Sequence, residues 1–204
     1  MFIDIVRPQD NEKEFIEVAE RMGMKGIIFL YTKQDKKILE QVEKLKKEIK
    51  LKLLKGLLIK DTRQANKAKK DFNLLFGLGT RENFENKSVQ IIFDVESDTR
   101  KDYIHNRNSG LNQVHCKLAK EKNKIIAFSF SQVLNSDRPE IILGRLIQNI
   151  VLCRKYKNDF VIASFAQDPY EMRCCRDYEA LLRVLGATPK QAKEAKDHLG
   201  KLFL

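Results

Sequence analysis

Asp4, Asp94, Glu96 and Asp98 are the residues of this 204-residue chain whose types and spacing best suit reaction chemistry. Carboxylates grouped in this way can hold magnesium, with waters and phosphates completing the shell. A nuclease or phosphoesterase centre needs more. The first apolar run, Phe2-Ile3-Asp4-Ile5-Val6, lacks the His-x-His pair that metal-dependent hydrolases built on βα barrels carry on their first strand. Only three histidines occur, His105, His115 and His198, and none has a second histidine at helical or x-His spacing. Gly77-Leu78-Gly79 lacks the third glycine of a dinucleotide loop, and no Gly-x-Ser-x-Gly elbow appears. Cys116, Cys153, Cys174 and Cys175 lack the gap of a zinc knuckle or redox pair and read as reduced thiols. The acidic group reads first as a solvated loop start.

Cations are the positive signal. Arg100, Lys101, His105 and Arg107 stand in a polar stretch, residues 95–110, interleaved with Tyr103 and two asparagines. Lys117, Lys120, Lys122 and Lys124 follow, and Arg173 and Arg176 bracket the paired cysteines. Arginine forks suit bidentate phosphate contacts, and Tyr103, Tyr170 or Tyr178 beside them would stack on unpaired bases. Lys36, Lys37, Lys46 and Lys47 read instead as a solubility coat on one helix face. With 39 Lys and Arg against 28 Asp and Glu, the net charge is +11. Such a field favours polyanions and binds nucleic acid in a salt-dependent way.

The elements that must position these groups alternate along the chain. Apolar runs at 2–6, 27–31, 53–59, 72–77, 89–93, 125–130 and 160–163 read as strands. Between them lie helical stripes, such as Phe15, Ile16, Val18, Ala19 and Met22, or Ile38, Leu39, Val42, Leu45 and Ile49. Asp61-Thr62 reads as the start of a short helix toward Lys70. Asp137-Arg138-Pro139-Glu140 has the residue types of a capping box, opening a long helix to Tyr156. Thr188-Pro189-Lys190-Gln191 starts the terminal helix. About seven βα units with continuously apolar strands predict a parallel sheet buried on both faces. A compact, irregular closed barrel and a doubly wound open sheet both satisfy that pattern. No linker-like tract divides the chain, so one domain over 1–204 is expected.

No apolar run reaches the roughly eighteen residues of a membrane helix, so no membrane partner is expected. The start, MFIDIVRPQD, reads as a first strand rather than a signal peptide, and a cytoplasmic protein is expected.

Several segments, in order, resemble the archaeal ribonuclease P protein component 3 family. They are Asn106-Arg107 with Ser109-Gly110-Leu111, Lys117 to Lys124 with Ala127-Phe128-Ser129-Phe130, and Leu134-Asn135-Ser136. Ser164-Phe165-Ala166-Gln167, Arg173-Cys174-Cys175-Arg176-Asp177 and Pro189 to Lys193 complete the series, with Arg145 at a basic position of the family pattern. Cys175 stands where the family usually has proline, and Asn112 where it has aspartate. The resemblance implies a compact, irregular TIM-like βα barrel related to PHP-type metal-dependent phosphoesterase and amidohydrolase barrels, without their metal ligands. It implies a non-catalytic subunit that pairs with a smaller ferredoxin-like protein on the ribonuclease P RNA. That holoenzyme removes 5′ leaders from precursor tRNA with magnesium held by the RNA, and this chain is expected to hold no cofactor. Arg107, Lys117, Lys122, Arg145, Arg173 and Arg176 are the expected RNA-contact residues. The alternative is a metal-dependent phosphoesterase on the same scaffold, which requires Asp4, Asp94 and Glu96 to converge on one metal.

Overall fold

Each apolar run becomes a strand lying parallel to the one before it. The computed structural model describes residues 2–60, 64–97 and 101–201. Asp61, Thr62, Asp98 and Arg100, named above as a helix start, an acid and a cation, lie outside the described residues. The strands are β1 (Ile3–Val6), β2 (Gly26–Tyr31), β3 (Lys52–Leu58), β4 (Leu74–Leu78), β5 (Ile91–Phe93), β6 (Ile125–Ser129) and β7 (Phe160–Ala163). They pair in chain order, all parallel. Past β7 the chain turns onto β1: Phe165 N donates to Ile5 O and Arg7 N to Ala166 O, both at 2.7 Å. Val6 and Ala166 form a parallel bridge there. That seam makes the sheet a seven-stranded TIM-like barrel and excludes the open doubly wound arrangement.

Strand alternation splits the core in two. Inward residues, among them Ile3, Ile5, Ile28, Leu30, Phe76, Phe93, Ala127 and Val161, fill the barrel. Phe165 stacks on Phe93 at 5.0 Å toward the C-terminal end, and Leu199 joins the same interior cluster. These side chains pack the barrel interior as one apolar cluster. Gly56, which interrupts the third strand in sequence, is needed there: a Cβ would stand 2.6 Å from the Phe76 ring. Outward residues meet the helices α1 (Glu12–Arg21), α2 (Lys36–Glu48), α3 (Ala65–Ala68), α4 (Arg81–Glu85), α5 (Gln113–Glu121), α6 (Phe130–Asn135), α7 (Pro139–Tyr156), α8 (Cys175–Val184) and α9 (Pro189–Lys201).

Two helix starts differ from the sequence reading. The sixth strand stops at Ser129, and Phe130 opens α6. Helix α7 begins at Pro139 with Arg138, not Asp137, in the cap position and no side-chain cap bond. Proline at the first helical position puts the cap one residue before it, and Ser136 Oγ accepts the Arg138 N–H instead. At the start of α9, Thr188 N donates to Gln191 Oε1 at 3.1 Å and Gln191 N to Thr188 Oγ1 at 3.3 Å.

Candidate nucleic-acid interface

The strand ends at the C-terminal rim deliver the polar stretch after β5 and the turn after β7 to one face. Helix α6 ties the two together. Gln132 Nε2 donates to Asp94 Oδ1 at 2.7 Å, Asn135 Nδ2 to Glu171 Oε1 at 3.1 Å, and Ser131 N to Ser164 O at 2.9 Å. Sequence reading missed this brace, because Phe128-Ser129-Phe130-Ser131 alternates like a strand.

Among the described residues Arg145 is the largest fully buried side chain, 1% exposed on the inner face of α7. A buried guanidinium must fill its donors, and this one does. It donates to the Asp102 carboxylate from Nε at 3.0 Å and Nη2 at 2.8 Å, and from Nη1 to the Glu96 and Ser97 carbonyls. Partial burial works against charged Asp102. The Asn108 backbone N–H and the Arg145 guanidinium, with Arg107 beyond, nevertheless hold its carboxyl below its ordinary value. Arg145 therefore has no surface to offer a phosphate in this structure. Its geometry is that of an anchor for the loop that carries the other cations. Neighbouring α7 side chains extend the anchor: Asn149 Nδ2 reaches Ser109 O at 2.9 Å and Gln148 Nε2 reaches Ser109 Oγ at 3.1 Å.

Arg107 is exposed and lies across α7, so close that a Cβ on Gly144 would stand 2.8 Å from its Nε. Glycine at 144 gives the side chain its bed. Arg107 and Arg145 thus meet around Asp102. Arg173 is half-buried; Nη1 donates to Tyr170 O and Met172 O, and the guanidinium sits 5.6 Å from the Phe130 ring centre. Arg176 is exposed in the first turn of α8. Lys117 and Lys122 are exposed on the outer helix α5 and its C-cap, about 7.5 Å apart along the axis. Lys124 leaves the basic cluster altogether. It is 2% exposed, its ammonium donates to the Asn86 and Val89 carbonyls, and desolvation followed by Lys122 and Lys69 depresses its pKa to about 8. Tyr103 and Tyr170 are exposed, but Tyr178 is fully buried and cannot stack on a base. His115 is structural, stacked on Phe84 at 4.6 Å.

The carboxylates do not converge. Asp4 Oδ1 accepts from Ile5 N at 2.9 Å and Ser164 N at 2.7 Å, clasping the barrel seam. Glu96 Oε1 accepts from Ser129 N at 2.7 Å, and Asp94 takes Gln132 as described. Each acid fixes a different junction. Among the described residues no three His, Cys, Asp or Glu side chains gather as metal ligands. The phosphoesterase alternative loses its geometric requirement.

A family model described as RNase P subunit p30 matches residues 1–203. Ribonuclease P protein component 3 of Methanosarcina barkeri is 34% identical over 91 residues, covering 44% of this chain and 38% of that protein. The Methanosarcina acetivorans protein of the same name is 35% identical over 91 residues, with the same coverage. The match therefore spans less than half the length of these curated relatives. Among solved structures, a chain from the cryo-EM structure of archaeal ribonuclease P with mature tRNA superposes with a TM-score of 0.80 at 23% identity. It covers 98% of this chain and 89% of that one. A crystallised uncharacterized protein gives a TM-score of 0.59 at 7% identity, covering 98% and 74%. At these identities the structural likenesses show the fold. Among the described residues no helix is long and apolar enough to cross a membrane.

Proposed function

The chain belongs to the RNase P subunit p30 family, and on that premise we propose that it is a protein subunit of ribonuclease P. Its role there is to bind and brace the RNA that cleaves 5′ leaders from precursor tRNA. The single observation that carries this reading is the family match over residues 1–203. The geometry supports it. Arg107 and Arg176 face outward at loops that Arg145, Gln132 and Asn135 hold to the barrel, so little ordering entropy remains to oppose phosphate contact. A net charge of +11 supplies the long-range attraction. Magnesium belongs to the RNA on this reading, and the chain acts as one domain in the cytoplasm. A smaller ferredoxin-like protein subunit is its proposed protein partner. The archaeal ribonuclease P solved with mature tRNA supports the tRNA connection.

The test is precursor-tRNA cleavage by the cognate RNA at limiting magnesium, with and without this chain and the small subunit. Cleavage that rises only with both proteins supports the bracing role. Cleavage by the chain without RNA would revive the carboxylates as a nuclease centre, and no effect in any combination would remove the reading.

Arg173 and Arg176 separate structure from contact. Arg176→Ala should leave the thermal midpoint unchanged and lower the log-affinity against log-salt slope for the RNA by about 1. Arg173→Ala should also lower the midpoint, since it removes two bonds to carbonyls worth about 1 kcal/mol each. Undiminished cleavage by the double variant, with the fold intact, would take both residues off the interface.

A further inference from the structure

We propose that a groove across the C-terminal rim, between the exits of β1, β2 and β3, seats a short unpaired RNA strand. One base lies against the Gln9–Gln167 amide pair, and its phosphates run along Lys33, Lys60 and Lys67. The proposal rests on the RNA-binding reading above and gives it a second contact, away from the arginine loops.

Two clefts share Thr32 and Lys33 and so form one groove. The first, about 270 Å³, has apolar wall from Pro8, Leu30, Ile38 and the ring of Tyr31. Tyr31 is only 6% exposed and donates its hydroxyl to Glu12 Oε1 at 3.0 Å. Burial, then Glu12, push the phenol's pKa far up, so the wall is neutral. Across it, Gln9 Nε2 donates to Gln167 Oε1 at 3.0 Å, bridging the barrel seam. Asn11 fixes this pair, accepting from Gln9 N at 2.8 Å and donating to Gln167 O at 3.0 Å. An amide has two donors and two acceptor sites, so the Gln9 carbonyl and the Gln167 NH₂ keep capacity for a ligand. An apolar wall beside an acceptor and donor held by Asn11 suits the edge of an unstacked base.

The second cleft, about 390 Å³, is lined by Lys33, Lys60 and Lys67 with Thr32, Gln34, Leu57 and Gln64, and among the described residues no carboxylate lines it. Asp10 and Glu12 stand on the opposite flank, continuous with an acidic hollow between α1 and α2 that holds Glu14 and Glu48. That polarity orients the strand, with phosphates toward β3 and the base toward the seam. In the first cleft Arg7 and Lys33 offset Asp10 and Glu12, so the excess positive charge lies in the second. Stacking walls joined to a basic track are how single strands are held without a duplex.

The test uses the full chain, fluorescein-labelled pentauridylate, and amide shifts from ¹⁵N-labelled protein. Binding should shift signals at residues 7–9, 31–34, 60 and 167. Lys33→Ala with Lys60→Ala should lower the log-affinity against log-salt slope by about 1.4, since a single strand contributes about 0.7 per phosphate. Gln9→Ala with Gln167→Ala should weaken binding several-fold at unchanged slope. Arg107→Ala with Arg176→Ala should leave the groove shifts in place. Shifts confined to residues 101–110 and 173–176, no binding of the pentanucleotide, or equal affinity for uridine monophosphate or a blunt duplex would each overturn the groove. Those results stay distinguishable from failure of the subunit reading, which precursor-tRNA cleavage at limiting magnesium reports separately.

Discussion

Arg145→Ala should cost about 3 kcal/mol of unfolding free energy and weaken RNA binding, although Arg145 is buried. The buried guanidinium joins Asp102 to the Glu96 and Ser97 carbonyls. Truncation leaves two carbonyls without that donor and a cavity the size of a long side chain beneath the loop. Asp102 is partly exposed and recovers water, which keeps the cost at the lower end for a broken buried pair.

The loss should be local. Asn149 still holds Ser109, so hydrogen exchange should quicken across 101–108 and stay slow at 109–112. Arg145→Lys should recover less than half of the stability, because one ammonium cannot reach the carboxylate and both carbonyls as the fork does. RNA affinity should fall with the salt slope unchanged, since no phosphate contact is lost and Arg107 is merely released from its bed over Gly144. A slope reduced by about 1 with normal exchange at 101–108 would return Arg145 to the contact residues and sink the anchor argument.

The barrel was legible because seven strands are apolar on both faces, and a parallel sheet covered by helices demands that. Closure was not legible in the periodicity, though the family resemblance implied it. It depends on Phe165 and Ala166 pairing with Ile5 and Arg7 across some 160 residues, and no local pattern encodes that. The α6 brace was hidden by strand-like alternation, overridden when Ser131 N found Ser164 O. Arg145 did carry a signal in the sequence. Ile142, Leu146, Asn149 and Ile150 are all buried, and 145 lies on that same helical stripe, so an inward arginine could be read there. Its partner could not, because Asp102 is 43 residues away and in no element. Basic residue type located Arg107 and Arg176 correctly on the surface, yet the same signal included Lys124, which the barrel buries.

The second large effect is expected at the seam, where Asp4→Asn should make the protein more stable at pH 7.5 and leave it nearly unchanged at pH 4. Asp4 is fully buried on the outward side of β1. Desolvation raises its pKa to about 6, and the Ser164 and Ile5 hydrogen bonds only partly oppose that rise. Among the described residues neither Oδ2 nor the buried Tyr178 hydroxyl has a hydrogen-bond partner, so Ser164 and Ile5 alone work against the cost of burying the charge. Below about pH 3.8 both folded and unfolded chains hold the proton. Above it the unfolded chain releases the proton first, and the fold loses stability until pH passes about 6. Two pKa units correspond to a loss on the order of 3 kcal/mol, complete by neutral pH. Asparagine keeps the Oδ1 acceptor for both N–H groups and carries no charge to desolvate. The difference in unfolding free energy between variant and parent should therefore grow from pH 4 to pH 6.5 and then level, every other titrating group cancelling in the subtraction. Denaturant unfolding at half-unit intervals of pH measures it. Parallel curves would mean that Asp4 keeps an ordinary carboxylate pKa and that the seam holds its charge without penalty.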